Sequence, residues 1–538
     1  MAFLKVDEKK SGTYLRVLES YRDSEGKVRH NNLFSLGKVE DYTPEQLRRI
    51  GLRLYELGGG EIKSALSGPL EEISRHNYGY CQVFGKVFEK YGLDVILKHI
   101  GIKHKLSFDL VNAVKLMLME RLHDPSSKRS NFINQEEYIG IAPVKIQHLY
   151  RALDKLADYN EVVQRRIFQT GRGLFDQQLD VVFYDVTTLY FDSELEQEGH
   201  LPQKGFGKDG KIGKTQILFC MLIDRDKQPI GYRVFKGDTY EGHTFIDAIS
   251  ALKKQYSIDK VIIVADRGML SKDNIQAVKE SDYEFIVGER LKKLPGDIQK
   301  DLLDISKYTS EWIYNDNENK EVKIKYCTAT YEGRIIIATF SQKRADKDKH
   351  QREQKIEKAK KLLQNPSLLK KKAGIYFIKQ EGKDQYSMDE EKIKQNEKYD
   401  GFLAIATNNQ TLAITEVLEQ YKQLYKIEQT FRSFKSHLET RPMFHWADKR
   451  IEGHICLCYI AFTMLNNVIL TLEKQKMHIS EDILRKMLDK MQVSLLRNGD
   501  QEMYIRSAQQ PNEANLQTRL SVKPLPPVFP MQDINKYL

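Results

Sequence analysis

The chain has 538 residues, a length that excludes a single small domain and predicts two to four domains. Hydrophobic residues make up 41% of it and charged residues 30%, which predicts a sizeable core under a soluble surface. The formal net charge of +10 is compatible with a polyanionic partner but does not require one.

The sequence does not predict a secreted or membrane protein. The first ten residues lack the pattern of a signal peptide. The longest predicted apolar helix, Ile455 to Leu465, is followed by Asn466-Asn467 and is too short to span a bilayer. The five scattered cysteines lack zinc spacing and predict buried free thiols in a reducing compartment. We therefore expect a cytoplasmic protein with no membrane partner.

The first part of the chain predicts a small β region followed by helices. Residues 13–18 alternate with period two, residues 23–26 form a turn, and residues 32–37 return antiparallel within a β region over 1–43. Apolar periodicity predicts a mainly helical region over 44–175. An all-helical block before a catalytic core suits DNA binding, although no clear helix-turn-helix is present.

Residues 176–294 change character and alternate between strands and helices. The first three strands follow one another directly, and helices separate the later ones. Three meandering strands followed by βαβ crossovers predict the first part of an RNase H-like mixed-sheet core in an α/β protein. The predicted strands are 181–185, 216–224, 229–236, 261–265 and 284–288, and the predicted helices are 241–254 and 271–280.

Residues 295–395 interrupt this pattern and predict an inserted β-rich subdomain. A hairpin is predicted from residues 322–330 and 335–340, turning at Glu332-Gly333. A charged helix follows, and residues 341–372 contain 12 Lys or Arg against four Asp or Glu. This charge is either a solvated helix face or a surface that contacts phosphates.

The remaining chain predicts the second part of the core and a C-terminal region. A strand at 401–407 leads into the helix that carries Glu428, within a core segment over 396–470. Residues 471–538 predict a helical region ending in a tail with several prolines, which we expect to be extended over a surface.

Three acidic residues in these elements are candidate metal ligands. Asp185 and Asp266 each end an apolar strand, and Glu428 lies on a helix. Taken singly, such residues are more often turn, cap or solvated residues, but their order along the chain favours a shared site. Mg²⁺ takes oxygen ligands, and a pair of ions ~4 Å apart needs a bridging carboxylate. We predict that Asp185 bridges two Mg²⁺ or Mn²⁺ ions, with Asp266 holding one and Glu428 the other.

The helix around Glu428 carries further candidates for contact with a DNA strand. Tyr421, Glu428 and Lys435 are spaced by seven residues, which places them ~10 Å apart on one face of a continuous helix. Arg432, four residues after Glu428, shares that face. These donors predict contacts to the backbone on either side of a cut phosphate. The alternative is an ordinary salt-bridged helix face.

These segments resemble a known family. The pattern Tyr421-x2-Leu424-x3-Glu428-x6-Lys435 is similar to the Tyr-x2-Arg-x3-Glu-x6-Lys signature of bacterial insertion-sequence transposases of the DDE type. Six other segments resemble motifs of one branch of that group: Phe183 to Thr188, Lys208 to Lys211, Val234 to Asp238, Ala265 to Gly268, Leu438 to Trp446 and Arg450 to Ile455.

The resemblance implies a cut-and-paste DNA transposase with an RNase H-like catalytic domain. Asp185, Asp266 and Glu428 would then be catalytic metal ligands. The partners implied are double-stranded DNA, as transposon ends and as target, and a second subunit when the ends are paired. The enzyme would act in the cytoplasm, on the nucleoid of a bacterium or archaeon.

The resemblance also implies which residues bind DNA near the cut. Tyr421 and Lys435 would contact DNA beside the cleaved phosphate. Leu424 stands where the signature has arginine and cannot bind phosphate, so that role is vacant or passes to Arg432, Lys426 or another residue. Trp312 is a candidate for stacking on a flipped base.

Two other functions remain open from the sequence. The same carboxylates would serve a metal-dependent nuclease that cuts without strand transfer. A DNA-binding repressor that keeps the core as a scaffold is the third interpretation.

Overall fold

The structure is a computed structural model whose described residues form two compact units. One unit comprises Met1–Ser74 with Ser494–Ile505, and the other comprises Arg75–Val493 with Arg506–Leu538. The motif Lys208 to Lys211 and the residue Pro442 lie outside the described residues. The described ranges are 2–59, 70–175, 180–192, 195–196, 198–206, 212–256, 258, 260–269, 271–316, 320–364, 376–382, 385–441, 443–498 and 501–537.

The first unit contains an antiparallel sheet and one amphipathic helix. The predicted hairpin is confirmed, and one additional strand precedes it. The three strands are β1 (Ala2–Lys9), β2 (Gly12–Arg22) and β3 (Val28–Lys38). Helix α1 (Pro44–Leu57) follows, and a reciprocal pair of hydrogen bonds between Thr43 and Gln46 caps its N-terminus.

The region predicted to be helical contains a strand as well as helices. Strand β4 (Glu71–Asn77) lies within it, and the other described elements of this mainly helical region are helices and a short 3-10 turn. The cap of α4 (Leu110–His123) follows the usual rule, since the Asp109 carboxylate accepts from the backbone N–H of Asn112 at 3.1 Å. The helices after β4 are α2 (Gly79–Lys90), α3 (Leu93–Lys103), α4 (Leu110–His123), α5 (Lys128–Ile133), α6 (Ile146–Asp158) and α7 (Asn160–Phe175).

A mixed sheet of ten strands forms the centre of the second unit. The strands are β5 (Val181–Tyr190), β6 (Gln203–Phe206), β7 (Ile212–Ile223), β8 (Pro229–Lys236), β9 (Ile262–Ala265), β10 (Glu284–Glu289), β11 (Ser310–Asn315), β12 (Glu321–Tyr331), β13 (Arg334–Phe340) and β16 (Phe402–Thr407). Their order in the sheet is β11-β12-β13-β16-β10-β9-β5-β7-β6, and β8 pairs with β7.

The pairing of the central strands follows the predicted pattern. Strands β5, β7 and β8 meander antiparallel. Strands β9 and β10 then join parallel, β9 beside β5 and β10 beside β9. Helices α8 (Glu241–Tyr256) and α9 (Lys272–Glu280) make the crossovers. The meander followed by crossovers is therefore present in the sheet.

In the described part of the inserted region, three strands join the core sheet and two others form a small sheet of their own. Strands β11, β12 and β13 extend the core sheet, because β13 pairs antiparallel with β16 from Ile335↔Thr407 to Phe340↔Phe402. Ile336 and Ile337 are fully buried on opposite faces of the sheet. The rest of the insertion contains α10 (Gly296–Leu303), α11 (Gln342–Leu363), β14 (Ile378–Gln380), β15 (Tyr386–Met388) and α12 (Glu390–Glu397).

Helices cover both faces of the central strands. On one face, residues of α8 and α9 pack in a cluster with Tyr184, Ala265 and Val287 of the strands. On the other face, Phe434 stacks on Phe219 of β7 with ring centroids 4.6 Å apart. The elements of this second face are α13 (Ile414–Lys422), α14 (Tyr425–Arg432), a π-helical turn (Ser433–His437) and α15 (Asp448–Lys474).

Helix α15 is longer than predicted and continues through Asn466-Asn467. Both amides are satisfied without breaking the helix, since Asn466 donates to the Lys227 carbonyl and Asn467 to the Tyr91 hydroxyl. By length and composition α15 could cross a membrane, but 83% of its apolar window is buried inside the protein, as expected of a core helix. The five cysteines are free, and four of them are buried, as predicted.

The C-terminal region contains more regular structure than the predicted proline-containing tail. Pro511, expected in an extended segment, occupies the first turn of helix α17 (Pro511–Arg519), where its missing N–H has no intrahelical partner to lose. The elements are α16 (Glu481–Asp489), β17 (Gln492–Asn498), β18 (Gln501–Arg506), α17 (Pro511–Arg519) and β19 (Val528–Pro530).

Candidate active site

The sheet brings Asp185 and Asp266 side by side. Strands β5 and β9 are parallel, with Tyr184 opposite Ala265. The residues that follow these two, Asp185 and Asp266, are therefore also neighbours. Neighbouring strands lie ~4.8 Å apart. Because the side chains of Tyr184 and Ala265 enter the cluster under α8 and α9, the alternation of a strand directs Asp185 and Asp266 to the opposite face. Asp185 is half-buried and Asp266 is exposed.

Tyr421 reaches the same face one strand further along the sheet. Val287 of β10 lies opposite Ala265, which places Gly288 beside Asp266. A Cβ atom on Gly288 would lie 2.6 Å from the Tyr421 hydroxyl oxygen and 3.0 Å from the Arg267 Cβ. A side chain at position 288 would therefore collide with the tyrosine, and glycine permits the close approach.

The charges that act on the Tyr421 hydroxyl include those of two candidate metal ligands, Asp266 and Glu428. Burial raises the pKa of the Tyr421 hydroxyl to about 12, and the negative charges of Asp266 and Glu428 add to this rise. The guanidinium groups of Arg267 and Arg344 oppose it. The hydroxyl is therefore protonated near neutral pH and is available as a hydrogen-bond donor.

Glu428 lies on the helix that covers β5. Helix α13 packs against β16, β10 and β9, and α14 packs against β5, so the polypeptide crosses the sheet above the two aspartates. Glu428 is exposed in the first turn of α14. Within the described ranges, no three His, Cys, Asp or Glu side chains are close enough to form a metal-binding group. The structure thus places two carboxylates in register and the third on the covering helix.

The segment from Tyr421 to Lys435 is not the single helix that was predicted. It is divided into α13, α14 and the π-helical turn, so its residues do not share one straight face. Between α13 and α14 the backbone N–H groups of Lys426 and Ile427 bond three residues back, to Gln423 and Leu424. These tighter bonds rotate α14 relative to α13 while Leu424 stays buried, with 9% of its surface exposed.

The structure assigns different surroundings to the predicted DNA-binding residues. Arg432 is exposed at the end of α14, and Lys435 is half-buried in the π-helical turn. Trp312 on β11 is only 8% exposed, and its ring lies 4.4 Å from that of Tyr314. The Lys422 ammonium lies 5.9 Å from the Trp312 ring. Little of the Trp312 side chain is accessible for stacking on a base in this structure.

Two arginines beside Tyr421 were not singled out from the sequence. Arg267 follows Asp266, and Arg344 lies in the first turn of α11, at the start of the basic stretch. Both line a cavity of about 490 Å³ that also contains Gly288 and Tyr421. The position of Arg267 next to a candidate ligand and the local charge of α11 were the available signals. Leu424 is buried and Lys426 donates to the Arg225 carbonyl at 2.6 Å, so neither faces this cavity.

Comparisons with known proteins identify two segments of the chain. Residues 176–464 match the family described as Transposase DDE domain. Residues 4–61 match the family described as IS1634 family transposase, N-terminal domain. No curated protein matches the chain at a significant level.

Solved structures of transposases share distant similarity with the chain. The piggyBac transposase synaptic complex with hairpin DNA is 10% identical, covers 78% of this chain and 82% of its own, and has a TM-score of 0.39. The Mos1 transposase paired-end complex with left transposon end is 13% identical, with coverages of 32% and 57% and a TM-score of 0.15. Because the DDE-domain match spans more than half of the chain, the protein belongs to the DDE transposases of insertion sequences and is an enzyme that acts on DNA.

Proposed function

We propose that this enzyme binds transposon ends, cleaves them, and joins the 3′-hydroxyls to target DNA. The observation that carries the proposal is the register of β5 and β9, which sets Asp185 beside Asp266 on the face where the Tyr421 hydroxyl also lies. Two adjacent carboxylates, a protonated phenol and nearby arginines are the groups that a phosphodiester reaction needs in one place.

The three carboxylates have the chemistry of ligands for divalent cations, and Asp185 and Asp266 are the two that the strand register sets side by side. Asp185 and Asp266 present oxygen ligands from neighbouring strands, and Glu428 projects from the helix that covers them. Mg²⁺ takes one or two protein carboxylates and completes its coordination with water and phosphate, so a set of two plus one suits Mg²⁺ or Mn²⁺. Ions held by Asp185, Asp266 and Glu428 would supply activation of the attacking water or 3′-hydroxyl and stabilisation of the leaving oxygen.

The other side chains of the site orient the DNA and balance its charge. The Tyr421 hydroxyl stays protonated and donates a hydrogen bond to a phosphate or sugar oxygen. Arg267 and Arg344 supply positive charge next to Tyr421 and would take the role of the signature arginine that Leu424 replaces. Arg432 and Lys435 contact the strand further along the covering segment.

The natural setting follows from this reaction. Both transposon ends must be held together during transfer, and a homodimer of the enzyme would hold them. The substrate is chromosomal DNA, so the enzyme works in the cytoplasm on the nucleoid.

The test is cleavage and joining with defined end DNA in Mg²⁺. Asp185→Asn, Asp266→Asn and Glu428→Gln should each lower end cleavage by at least 100-fold while end binding persists, because each variant keeps the side-chain shape and loses one negative charge. The matched control is Glu280→Gln, an exposed carboxylate on α9, which covers the opposite face of the sheet. Cleavage at the wild-type rate by any of the three site variants would remove that residue from the site.

The same substrates distinguish transposition from hydrolysis alone. Pre-cut ends with free 3′-hydroxyls should join to a plasmid target in the presence of the wild-type enzyme. Cleavage without joining would support a metal-dependent nuclease, and end binding without either reaction would support a repressor.

A further inference from the structure

A second cavity lies in the helical part of the second unit, at the junction of α4, α5, α6, α15 and the loop before α15. Its volume is about 390 Å³, within the range of roughly 300–1,000 Å³ that is usual for small-molecule sites. Its lining includes Arg121, Lys128, Glu439, His445, Arg450 and His454.

Two buried cations in this cavity have no carboxylate partner. Arg121 is 5% exposed and Lys128 is 3% exposed. Arg121 donates to the backbone carbonyls of Leu438 and Ser126, and the Lys128 ammonium donates to the Asn131 side-chain oxygen at 2.8 Å. Across the described ranges, neither forms an ion pair. A buried charge without a counter-charge is costly, so the arrangement favours an anion.

Two buried donors in the cavity also lack acceptors. The Arg121 Nε and the His454 Nδ1 have no hydrogen-bond partner among the described residues. His454 is 6% exposed, and the Cys458 sulfur lies 3.6 Å from its Nε2. When that thiol donates to Nε2, the ring proton is on Nδ1 and becomes a donor without an acceptor. Unsatisfied buried donors call for a ligand that accepts hydrogen bonds.

Among the described residues, the acidic groups around the cavity form no ion pair with these cations. On α4, buried Glu120 accepts from Ser126 and from the Asn131 amide, and its charge partly opposes the fall in the pKa of Lys128 without a direct hydrogen bond to it. On α6, Asp154 pairs with Arg450 at 3.4 Å. Glu439 is exposed at the cavity mouth.

Burial and neighbouring positive charge also lower the pKa of two basic side chains that line the cavity. Burial lowers the pKa of Lys128 to about 7, and the charge of Arg121 adds to this. Burial likewise lowers the pKa of His445 to about 4, with the charges of Lys128 and Arg121 adding to it. A bound anion would reverse the electrostatic part of these effects.

We propose that this cavity is a binding site for a phosphate group, held by Arg121, Lys128 and His454. A phosphate has several acceptor oxygens and at least one negative charge, so it matches both the unpaired cations and the unsatisfied donors. The group is either a backbone phosphate of bound DNA or free phosphate. The site is separate from the candidate active site, since none of its lining residues is shared with Asp185, Asp266, Glu428 or the cavity beside Tyr421.

The first experiment measures thermal unfolding of the full chain in inorganic phosphate against chloride at equal ionic strength. Phosphate should raise the Tm progressively, because a ligand that binds the folded state stabilises it. Lys128→Met should lose this rise. Its matched control is Arg129→Met, which removes an exposed cation next along α5 and should keep the rise. No phosphate-specific rise in the wild type, or an equal rise in Lys128→Met, would overturn the proposal.

A second measurement does not depend on the folding of a variant. In wild-type protein with ¹³C-labelled histidine, inorganic phosphate should shift the His445 and His454 ring signals, and chloride should not. Unchanged ring signals at saturating phosphate would contradict the site. The inactive Asp185→Asn enzyme should respond to phosphate as the wild type does, so this result is independent of the catalytic proposal.

DNA binding distinguishes the two sources of the phosphate. For a backbone phosphate, inorganic phosphate should compete with DNA, and Lys128→Met should lower the slope of log affinity against log salt by about one. One neutral methylphosphonate linkage should then weaken wild-type binding without affecting Lys128→Met. For free phosphate, the Tm rise should persist in the DNA complex, and Lys128→Met should bind DNA normally. Both results support a phosphate site and identify its occupant.

Discussion

Replacing Gly288 by alanine tests the assembly of the candidate active site at a single contact. The new Cβ would lie 2.6 Å from the Tyr421 hydroxyl oxygen, whereas ordinary contacts begin near 3.4 Å. The hydroxyl must therefore move by about 0.8 Å, and overpacking of this kind costs about 1–3 kcal/mol of unfolding free energy. The displaced phenol no longer lies beside Asp266, so we also expect end cleavage to fall by at least tenfold.

A double variant assigns this cost to the tyrosine hydroxyl. Adding Tyr421→Phe removes the oxygen that the methyl group meets, and it should recover at least 0.5 kcal/mol relative to the sum of the two single variants. Recovery should be incomplete, because Arg267 Cβ still lies 3.0 Å from the new atom. The control is Gly296→Ala at the start of α10, where a Cβ meets nothing within 4 Å and stability should change by less than about 0.5 kcal/mol.

Urea unfolding monitored by circular dichroism gives the stability of all four variants. If Gly288→Ala is as stable as Gly296→Ala, or if Tyr421→Phe does not change its effect, the Tyr421 hydroxyl does not lie against β10. The reasoning that joins α13 to the two aspartates would then be wrong.

Three further predictions concern the stability of the core. Burial raises the pKa of Asp224 to about 7, so ionising this carboxyl should lower the free energy of unfolding as the pH rises from 4 to 8. The wild-type free energy of unfolding should fall by about 3 kcal/mol over that range from this group, and Asp224→Asn should remove that fall, as measured by urea unfolding. Phe434→Ala should lower the free energy of unfolding by about 3–5 kcal/mol, because it deletes a fully buried ring stacked on Phe219. A variant as stable in urea as the wild type would refute this packing. Arg334→Met should cost about 3–5 kcal/mol by leaving buried Glu289 without its partner at 3.2 Å, and adding Glu289→Leu should restore most of the loss in the same assay.

The strands of the catalytic core could be predicted from the sequence because their signals are local. Apolar runs before Asp185 and Asp266 indicate strands. The expectation that both residues end a strand holds only for Asp266, because β5 continues past Asp185 to Tyr190. The helices between the later strands predict parallel pairing, since such crossovers return the chain in the same direction. Adjacent positions for the two aspartates follow from those features, and the pairing of β5 with β9 confirms them.

The edge of the sheet could be predicted less well because pairing between distant strands leaves a weak local signal. The hairpin of β12 and β13 was predicted, but its addition to β16 was not. Ile335, Ile336 and Ile337 form a continuous apolar run, which is typical of a strand covered on both faces. That run was the available evidence that β13 lies inside a sheet.

The sequence by itself determined the chemistry of this enzyme, namely which acids, phenol and cations are present and in what order. Tertiary structure decided how they meet. The close approach of Tyr421 to Gly288 depends on two segments more than 100 residues apart. The break between α13 and α14 depends on packing that keeps Leu424 buried, because intrinsic helix propensity alone would have continued one helix through it. Long-range packing, and not local preference, therefore set the geometry of the site.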